Sequence, residues 1–170
     1  MTVCILGTGA FGTALAIALS DTHDIHLWGR NANTVAEVEA QRENSKLPGA
    51  VLGPAITVTS DAKAAIQGAD FILSAIPLQS THTTLVDLVG YFEGQPLIGC
   101  SKGVDLTTGM GGYSILRASY PDGPVGLLTG PSFAADIARG LPTALTLAAD
   151  ASQAVSSWQS ELSVDTLRQG

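Results

Sequence analysis

The sequence is poor in charged residues, aromatic residues and cysteine, and each shortage excludes a class of protein. Charged residues make up 14% of the 170 residues and aromatic residues 5%, whereas 45% are hydrophobic. Such a chain has enough apolar side chains to bury a core, so it is not intrinsically disordered. Its length suits one domain, and we expect residues 1–170 to form a single domain.

Positive charge is also scarce. Eight Lys and Arg residues stand against fifteen Asp and Glu residues, which gives a net charge of −7. The phosphates of nucleic acid repel an acidic protein, so we expect no nucleic-acid partner. A local positive site can still bind a phosphorylated small molecule.

Metal-site spacing, a secretory leader and a membrane span are missing too. The two cysteines, Cys4 and Cys100, lie in separate apolar segments typical of buried strands, and the three histidines follow no metal-ligand pattern. No hydrophobic run reaches the roughly 20 residues of a membrane span. The apolar segment Val3–Leu6 is followed by glycines and has no basic leader before it. We therefore expect no metal, no membrane partner and a cytoplasmic location.

What the sequence does have is a regular alternation of short apolar segments with longer, alanine-rich segments of helical period. This order predicts an α/β protein with a doubly wound, mostly parallel sheet of the Rossmann type, covered by helices on both faces. The prolines and glycines of Asn44–Pro54 predict an ordered loop, and no further strand–helix unit is expected in Asp165–Gly170. The predicted strands are Val3–Leu6, Ile25–Trp28, Ile56–Thr59, Phe71–Ile76, Leu97–Cys100, Val125–Thr129 and Ala144–Leu147, and the predicted helices begin near Ala10, Asn33, Asp61, Ser80, Tyr113, Phe133 and Ser152.

Glycines recur between the first predicted strand and the first predicted helix. Gly7, Gly9 and Gly12 have the G-x-G-x-x-G spacing, which in this context is the fingerprint of a dinucleotide-binding loop. In such a loop the first glycine permits a tight turn, the second lets the pyrophosphate approach, and the third lets helix and strand pack closely. The helix at Ala10 has no capping side chain, so its first N–H groups are available to an anion. A tight turn that binds nothing is the alternative.

The end of the second predicted strand bears on the choice of dinucleotide. Sites that prefer NAD usually carry an acidic residue about 20 residues after the glycine loop, where it binds the ribose 2′-OH. Here Arg30 stands 18 residues after Gly12 instead, and a guanidinium suits a 2′-phosphate. The expected cofactor is NADP or NAD, with NADP at least accepted. An Arg30 that stacks on adenine or faces solvent is the alternative.

Further segments narrow the family. They are Leu27–Arg30, Asn44–Gly49, Ala75–Gln79, Ser101–Val104, Leu128–Ala134 and Ala138–Ala144. Together and in this order they closely resemble the bacterial NAD(P)-dependent glycerol-3-phosphate dehydrogenases over nearly the whole chain. The resemblance implies reversible hydride transfer between NAD(P)H and dihydroxyacetone phosphate. The product, sn-glycerol 3-phosphate, starts glycerophospholipid synthesis.

The resemblance also implies roles for single residues. Lys102 follows a predicted strand, where its ammonium can polarise a carbonyl or hold alkoxide charge, and a solvated loop lysine is the alternative. Ser132 can be a helix N-cap, a ligand hydroxyl or both. Pro77 ends a predicted strand at the crevice edge, and Leu78 departs from the family, which usually has Ser there. The expected cofactor contacts are Gly7, Gly9, Ala10, Phe11, Gly12, Arg30, Pro77, Lys102 and Ala134, and the expected substrate contacts are Lys102, Gly130 and Ser132.

The resembled enzymes carry a second, helical domain, which supplies the general base and the groups that hold the substrate phosphate. We expect this domain to be absent here, so no catalytic base is assigned and the chain alone is expected to be inactive. Two alternatives stay open: an isolated, non-catalytic dinucleotide-binding module, and a hydroxy-acid or sugar-acid dehydrogenase of the same superfamily. A crevice left exposed makes a homodimer possible.

Overall fold

The computed structural model describes residues 1–150, 152–164 and 167–169. Within these residues the strands are β1 (Thr2–Leu6), β2 (Asp24–Trp28), β3 (Ile56–Thr59), β4 (Phe71–Ser74), β5 (Leu97–Gly99), β6 (Val125–Thr129), β7 (Thr143–Ala149) and β8 (Leu167–Gln169). The α-helices are α1 (Ala10–Leu19), α2 (Ala32–Gln41), α3 (Ala62–Ile66), α4 (Leu78–Leu88), α5 (Gly112–Ser119), α6 (Ala134–Ala138) and α7 (Ser152–Leu162), and a 3-10 turn, Val89–Tyr91, follows α4.

All eight strands belong to one sheet, in the order β3-β2-β1-β4-β5-β6-β7-β8. The first six strands pair in parallel. The order runs outward in both directions from the β1–β4 pair, and open α/β sheets bind ligands in the crevice at such a switch point. The predicted doubly wound, Rossmann-type sheet is confirmed.

The far edge of the sheet departs from the prediction. β7 runs antiparallel to β6, with Thr129 opposite Thr146, and β8 runs parallel to β7, with Thr143 opposite Leu167. No further strand–helix unit was expected in Asp165–Gly170, and the edge strand β8 in this segment was not predicted. A three-residue edge strand is held by backbone hydrogen bonds, so it needs no hydrophobic pattern that a sequence could reveal.

The other predicted elements are present, with ends that differ by a few residues. β4 stops at Ser74, two residues before the predicted end, and α4 begins at Leu78 instead of near Ser80. Pro77 is the N-cap of α4, with φ at −53°. Because proline has no N–H to leave unpaired, the helix can begin directly after it.

Both faces of the central strand are buried. Val3 and Ile5 of β1 belong to one core cluster, whereas Cys4 and Leu6 belong to another on the opposite face. Successive side chains of a strand point to opposite faces, so helices must cover both sides of β1. On the first face Leu15 and Leu19 of α1 supply that cover, and on the second Ala65 and Ile66 of α3 and Leu85 and Leu88 of α4 supply it.

The thiols lie within this core, as predicted. Cys4 is fully buried in β1, and Cys100 is 6% exposed directly after β5. Burial disfavours the thiolate and raises the pKa of each thiol to about 12.

Small residues bring α6 against α1. Ala14 and Ala18 of α1 are buried together with Ile137 of α6, and Ala134 packs against the same cluster. Alanine side chains keep the two helices close, so the start of α6 lies beside the glycine loop that precedes α1.

Candidate functional site

The glycine loop leaves no space for side chains at two of its positions. Gly7 has φ at +119°, and a Cβ added there would lie 2.9 Å from the Ala75 carbonyl oxygen. A Cβ at Gly12 would lie 2.1 Å from the Gly7 carbonyl oxygen. The Gly7 N–H also donates to the Trp28 carbonyl at 2.8 Å. The loop is therefore pressed against β2, β4 and its own helix.

Gly9 has a different environment. A Cβ added there would meet no heavy atom within 4 Å. Gly9 is the N-cap of α1 and gives it no side-chain hydrogen bond, and the Thr13 N–H donates to the Gly9 carbonyl at 3.0 Å. The N–H groups of the first helical turn precede that bond and are open to an anion.

A cleft of about 270 Å³ opens above these strand ends. Four predicted cofactor contacts lie in its wall: Gly7, Gly9, Arg30 and Pro77. The full lining is Gly7, Thr8, Gly9, Trp28, Gly29, Arg30, Lys46, Ala75, Ile76, Pro77, Ser80 and Thr84. The structure thus brings together the glycine loop, the end of β2 and the start of α4.

Arg30 is exposed, but its side chain is fixed. The guanidinium donates to Thr84 Oγ1, and the Thr84 hydroxyl in turn donates to the Ser80 carbonyl at 2.8 Å. In the described part of the chain the ion pairs are Arg42–Glu39 and Arg117–Asp150, so Arg30 has no carboxylate partner there. Its charge faces the cleft unneutralised.

Lys46 also lines the first cleft, and no role was predicted for it from the sequence. It lies in the ordered loop after α2, where the Lys46 N–H donates to Asn44 Oδ1 at 3.0 Å. The Asn44 side chain is buried and donates to the Thr8 carbonyl at 3.1 Å and to Thr13 Oγ1 at 2.8 Å. The segment Asn44–Gly49 carried part of the family resemblance, but a sequence does not reveal that Asn44 fastens it to the glycine loop.

Of the predicted substrate residues, Lys102 lines a second cleft, whereas Gly130 and Ser132 do not belong to its lining. Lys102 is exposed, and its ammonium donates to the Gly130 carbonyl at 2.6 Å. Ser101 donates from Oγ to the carbonyl of Ile76, which lines the first cleft, so the two clefts adjoin. The second cleft, of about 520 Å³, is lined by Ser101, Lys102, Gly103, Gly111, Gly112, Tyr113, Ser114, Leu127, Leu128 and Thr129.

Ser132 does not cap a helix. The N-cap of α6 is Phe133, which provides no side-chain bond, so of the two roles offered for Ser132 the N-cap role is wrong. The helix begins one residue too late for the Ser132 hydroxyl to occupy the cap position. Its Oγ is buried and has no hydrogen-bond partner among the described residues. A role as a ligand hydroxyl stays a prediction.

Three predicted cofactor contacts lie behind the first cleft. Ala10, Phe11 and Ala134 are partly buried against the cluster that joins α1 to α6. Their side chains build the support of the glycine loop, while the backbone N–H groups of Ala10 and Phe11 belong to the open first turn of α1.

Leu78 and Gln79, the first two residues of α4, lie in different surroundings: Leu78 is buried, and Gln79 contacts a neighbouring loop. The Gln79 side chain donates to the Val104 carbonyl at 2.9 Å and accepts from the Leu106 N–H at 2.9 Å, so it fixes the loop that carries Lys102. Leu78, which departs from the family pattern, is buried. In the same loop, hydrogen bonds from Thr108 lower the pKa of Asp105.

Two negative findings complete the site. Among the described residues, no group of three or more His, Cys, Asp and Glu side chains is placed to hold a metal ion. None of the helices described above has both the length and the hydrophobicity to span a membrane.

Comparison with known proteins gives one consistent result. The family described as the N-terminus of NAD-dependent glycerol-3-phosphate dehydrogenase matches residues 2–155. Glycerol-3-phosphate dehydrogenases [NAD(P)+] of Ruegeria sp. (strain TM1040) and Roseobacter denitrificans are each 47% identical over 169 residues. The crystal structure of the Coxiella burnetii glycerol-3-phosphate dehydrogenase superposes with a TM-score of 0.90 at 26% identity over 99% of this chain. The chain spans about half, 52%, of the length of each of these relatives.

Proposed function

The chain belongs to the N-terminal family of the NAD-dependent glycerol-3-phosphate dehydrogenases, and on this premise we propose that its first cleft binds NADP or NAD. The observation that carries the proposal is the open space at Gly9, beside the uncapped first turn of α1 and inside the cleft. The family membership argues against a hydroxy-acid or sugar-acid dehydrogenase.

The pyrophosphate lies over the glycine loop. Gly9 has no neighbour that a ligand atom would strike, and the N–H groups of Ala10 and Phe11 stand at the positive end of α1. Such an end favours a nearby negative charge by about 0.3–1 kcal/mol at exposed sites. Gly7 and Gly12 act indirectly, because their missing side chains let the loop and helix sit where the N–H groups meet the ligand.

The adenosine half extends toward the end of β2. Trp28, Gly29 and Arg30 form that part of the wall, and Pro77 lies across from them at the start of α4. In doubly wound sheets the ribose 2′ position lies at the end of the second strand. Arg30 is therefore the expected neighbour of that position.

The nicotinamide half and the substrate lie toward the second cleft. The ammonium of Lys102 can turn from the Gly130 carbonyl to a substrate oxygen, since the lysine is exposed. There it would polarise the ketone of dihydroxyacetone phosphate or hold the alkoxide charge of sn-glycerol 3-phosphate. The bound nicotinamide supplies or accepts the hydride. The Ser132 hydroxyl, whose Oγ is buried and has no partner among the described residues, supports a ligand contact at that residue.

The chain alone is proposed to bind without turnover. Lys102 is the cationic residue in the lining of the second cleft, and that lining has no histidine or carboxylate to act as a general base. A substrate phosphate also needs compensating positive charge, and besides Lys102 the side-chain donors of the lining are the neutral hydroxyls of Ser101, Tyr113, Ser114 and Thr129. No described residue is assigned to the general base or to the groups that hold the substrate phosphate. None is assigned to an interface of the predicted homodimer.

The test separates binding from turnover. The chain is titrated with NADPH, and emission from Trp28, which lines the cleft, reports occupancy; a Trp158→Phe background removes the emission of the other tryptophan. Dihydroxyacetone phosphate is then added and the nicotinamide absorbance is followed. We expect saturable quenching and a constant absorbance. Absence of binding would contradict the proposed function, and steady oxidation of NADPH would contradict the lack of a base.

A further inference from the structure

Two cations line the first cleft. They are Arg30, at the end of β2, and Lys46, in the loop that follows α2. No Asp or Glu belongs to the described lining of this cleft. In a chain with a net charge of −7, such a pairing of like charges needs an explanation.

The position of Lys46 is fixed by its own loop. An isolated bridge between Glu43 and Val51 closes the loop, and the Gly49 N–H donates to Glu43 Oε1 at 2.9 Å. The Asn44 side chain is 1% exposed, and its amide nitrogen donates to the carbonyl of Thr8 in the glycine loop and to Thr13 Oγ1 in α1. A buried amide without partners costs about 1–3 kcal/mol, so these bonds lock the loop and with it Lys46.

Neither cation is neutralised by the protein. Both described ion pairs, Arg42–Glu39 and Arg117–Asp150, lie outside the cleft. Arg30 is held by a hydroxyl, Thr84 Oγ1, which leaves its charge intact. The two side chains come from different elements, so together they can approach one anion from two sides.

The nature of the anion follows from its place in the cleft. The pyrophosphate meets the start of α1, whereas Arg30 stands just after β2, where the ribose 2′ position is expected, and Lys46 lines the same cleft from the loop after α2. A 2′-phosphate carries a charge near −2 and three acceptor oxygens, enough for a guanidinium and an ammonium at once. We propose that Lys46, together with Arg30, binds the 2′-phosphate of NADP and makes NADP the preferred dinucleotide. This inference rests on the proposed function.

The experiment compares ligands with and without the 2′-phosphate. The unaltered chain and the variants Lys46→Gln and Arg30→Gln are titrated by calorimetry with NADP, NAD, adenosine 2′,5′-bisphosphate and 5′-AMP at low ionic strength. Lys63→Gln is the matched control, because Lys63 is exposed on α3 and outside the cleft. We expect Lys46→Gln to weaken NADP and the bisphosphate by about fivefold and to leave NAD and 5′-AMP unchanged.

The outcomes distinguish this inference from the proposed function. Equal weakening of NADP and NAD by Lys46→Gln, or no weakening of either, overturns the role of Lys46 while dinucleotide binding stands. Binding of neither dinucleotide by the unaltered chain overturns the proposed function itself. Added salt should reduce the advantage of NADP over NAD in the unaltered chain, and should reduce it less in the Lys46→Gln variant, in which Arg30 is the remaining cation of the pair.

Discussion

At the residue scale, two glycines of one loop do different work. Gly12 is needed by the fold, because a Cβ there would lie 2.1 Å from the backbone oxygen of Gly7. The fold has no steric need for glycine at position 9, because a Cβ there meets nothing within 4 Å. The two positions can therefore be tested against each other.

We expect Gly12→Ala to lower the free energy of unfolding by about 1–3 kcal/mol, since backbone atoms must move to admit the methyl group. Gly9→Ala should cost less than about 1 kcal/mol, the usual effect at a helix N-cap. Urea unfolding followed by circular dichroism measures both. Equal losses would show that the loop has no open position at Gly9.

Gly9→Ala carries a second expectation. Its methyl group would occupy the space assigned to the pyrophosphate, so NADPH binding should weaken at least tenfold while the fold is retained. The titration used for the unaltered chain measures this loss. Unchanged affinity in a folded Gly9→Ala variant would move the pyrophosphate away from Gly9.

Single residues also show which parts of the candidate site could be predicted from the sequence and which could not. The glycine spacing and its strand–helix context predicted the loop and the packing at Gly7 and Gly12. The role of Ser132 as a cap was wrong, because it depended on where α6 begins to within one residue. Lys46 was missed because its position depends on the burial of Asn44, and nothing in the neighbouring sequence signals that burial.

At the element scale, the loop Asn44–Pro54 deserves a test of its own. Asn44→Ala removes the bonds to Thr8 and Thr13 and leaves the Lys46 N–H without its acceptor. We expect a loss of about 1–3 kcal/mol in the free energy of unfolding. Asn33→Ala, on the exposed side of α2, is the control and should change stability by less than about 0.5 kcal/mol.

The Asn44→Ala variant also tests the proposed role of Lys46 in binding the 2′-phosphate. A loosened loop should reduce NADP affinity more than NAD affinity, because Lys46 leaves its place while Arg30 stays bound to Thr84.

Strands and helices with an apolar pattern were predicted to within a few residues of their ends. β8 was not, because it is held by pairing with β7 and by no pattern of its own.

At the scale of the whole molecule, the two thiols report the integrity of the core. Their pKa values are about 12 in the folded chain, above the ordinary value of 9.0. The folded state therefore holds both protons more tightly than the unfolded state. This contribution to stability is complete below pH 9 and is lost as the pH rises through about 12.

We expect urea midpoints to fall between pH 9 and pH 11 in the unaltered chain, and to fall less in a Cys4→Ala/Cys100→Ala variant, which has no thiol to titrate. Thiol reagents at pH 8 should label neither cysteine before unfolding and both after it. Rapid labelling of the folded chain would place a thiol at the surface.

The glycine loop has a consequence for how this cleft can evolve or be redesigned. Gly7 and Gly9 contribute only main-chain atoms to its wall, and a side-chain substitution cannot change the hydrogen-bonding character of a peptide group. A change in dinucleotide preference must therefore come from side chains that line the cleft and can be substituted, such as Arg30 and Lys46, which we call its rim. A library confined to these rim positions would vary nucleotide preference and spare the scaffold, whereas a change at these glycines weakens binding of both dinucleotides, at Gly9 through the ligand and at Gly7 through the fold as well.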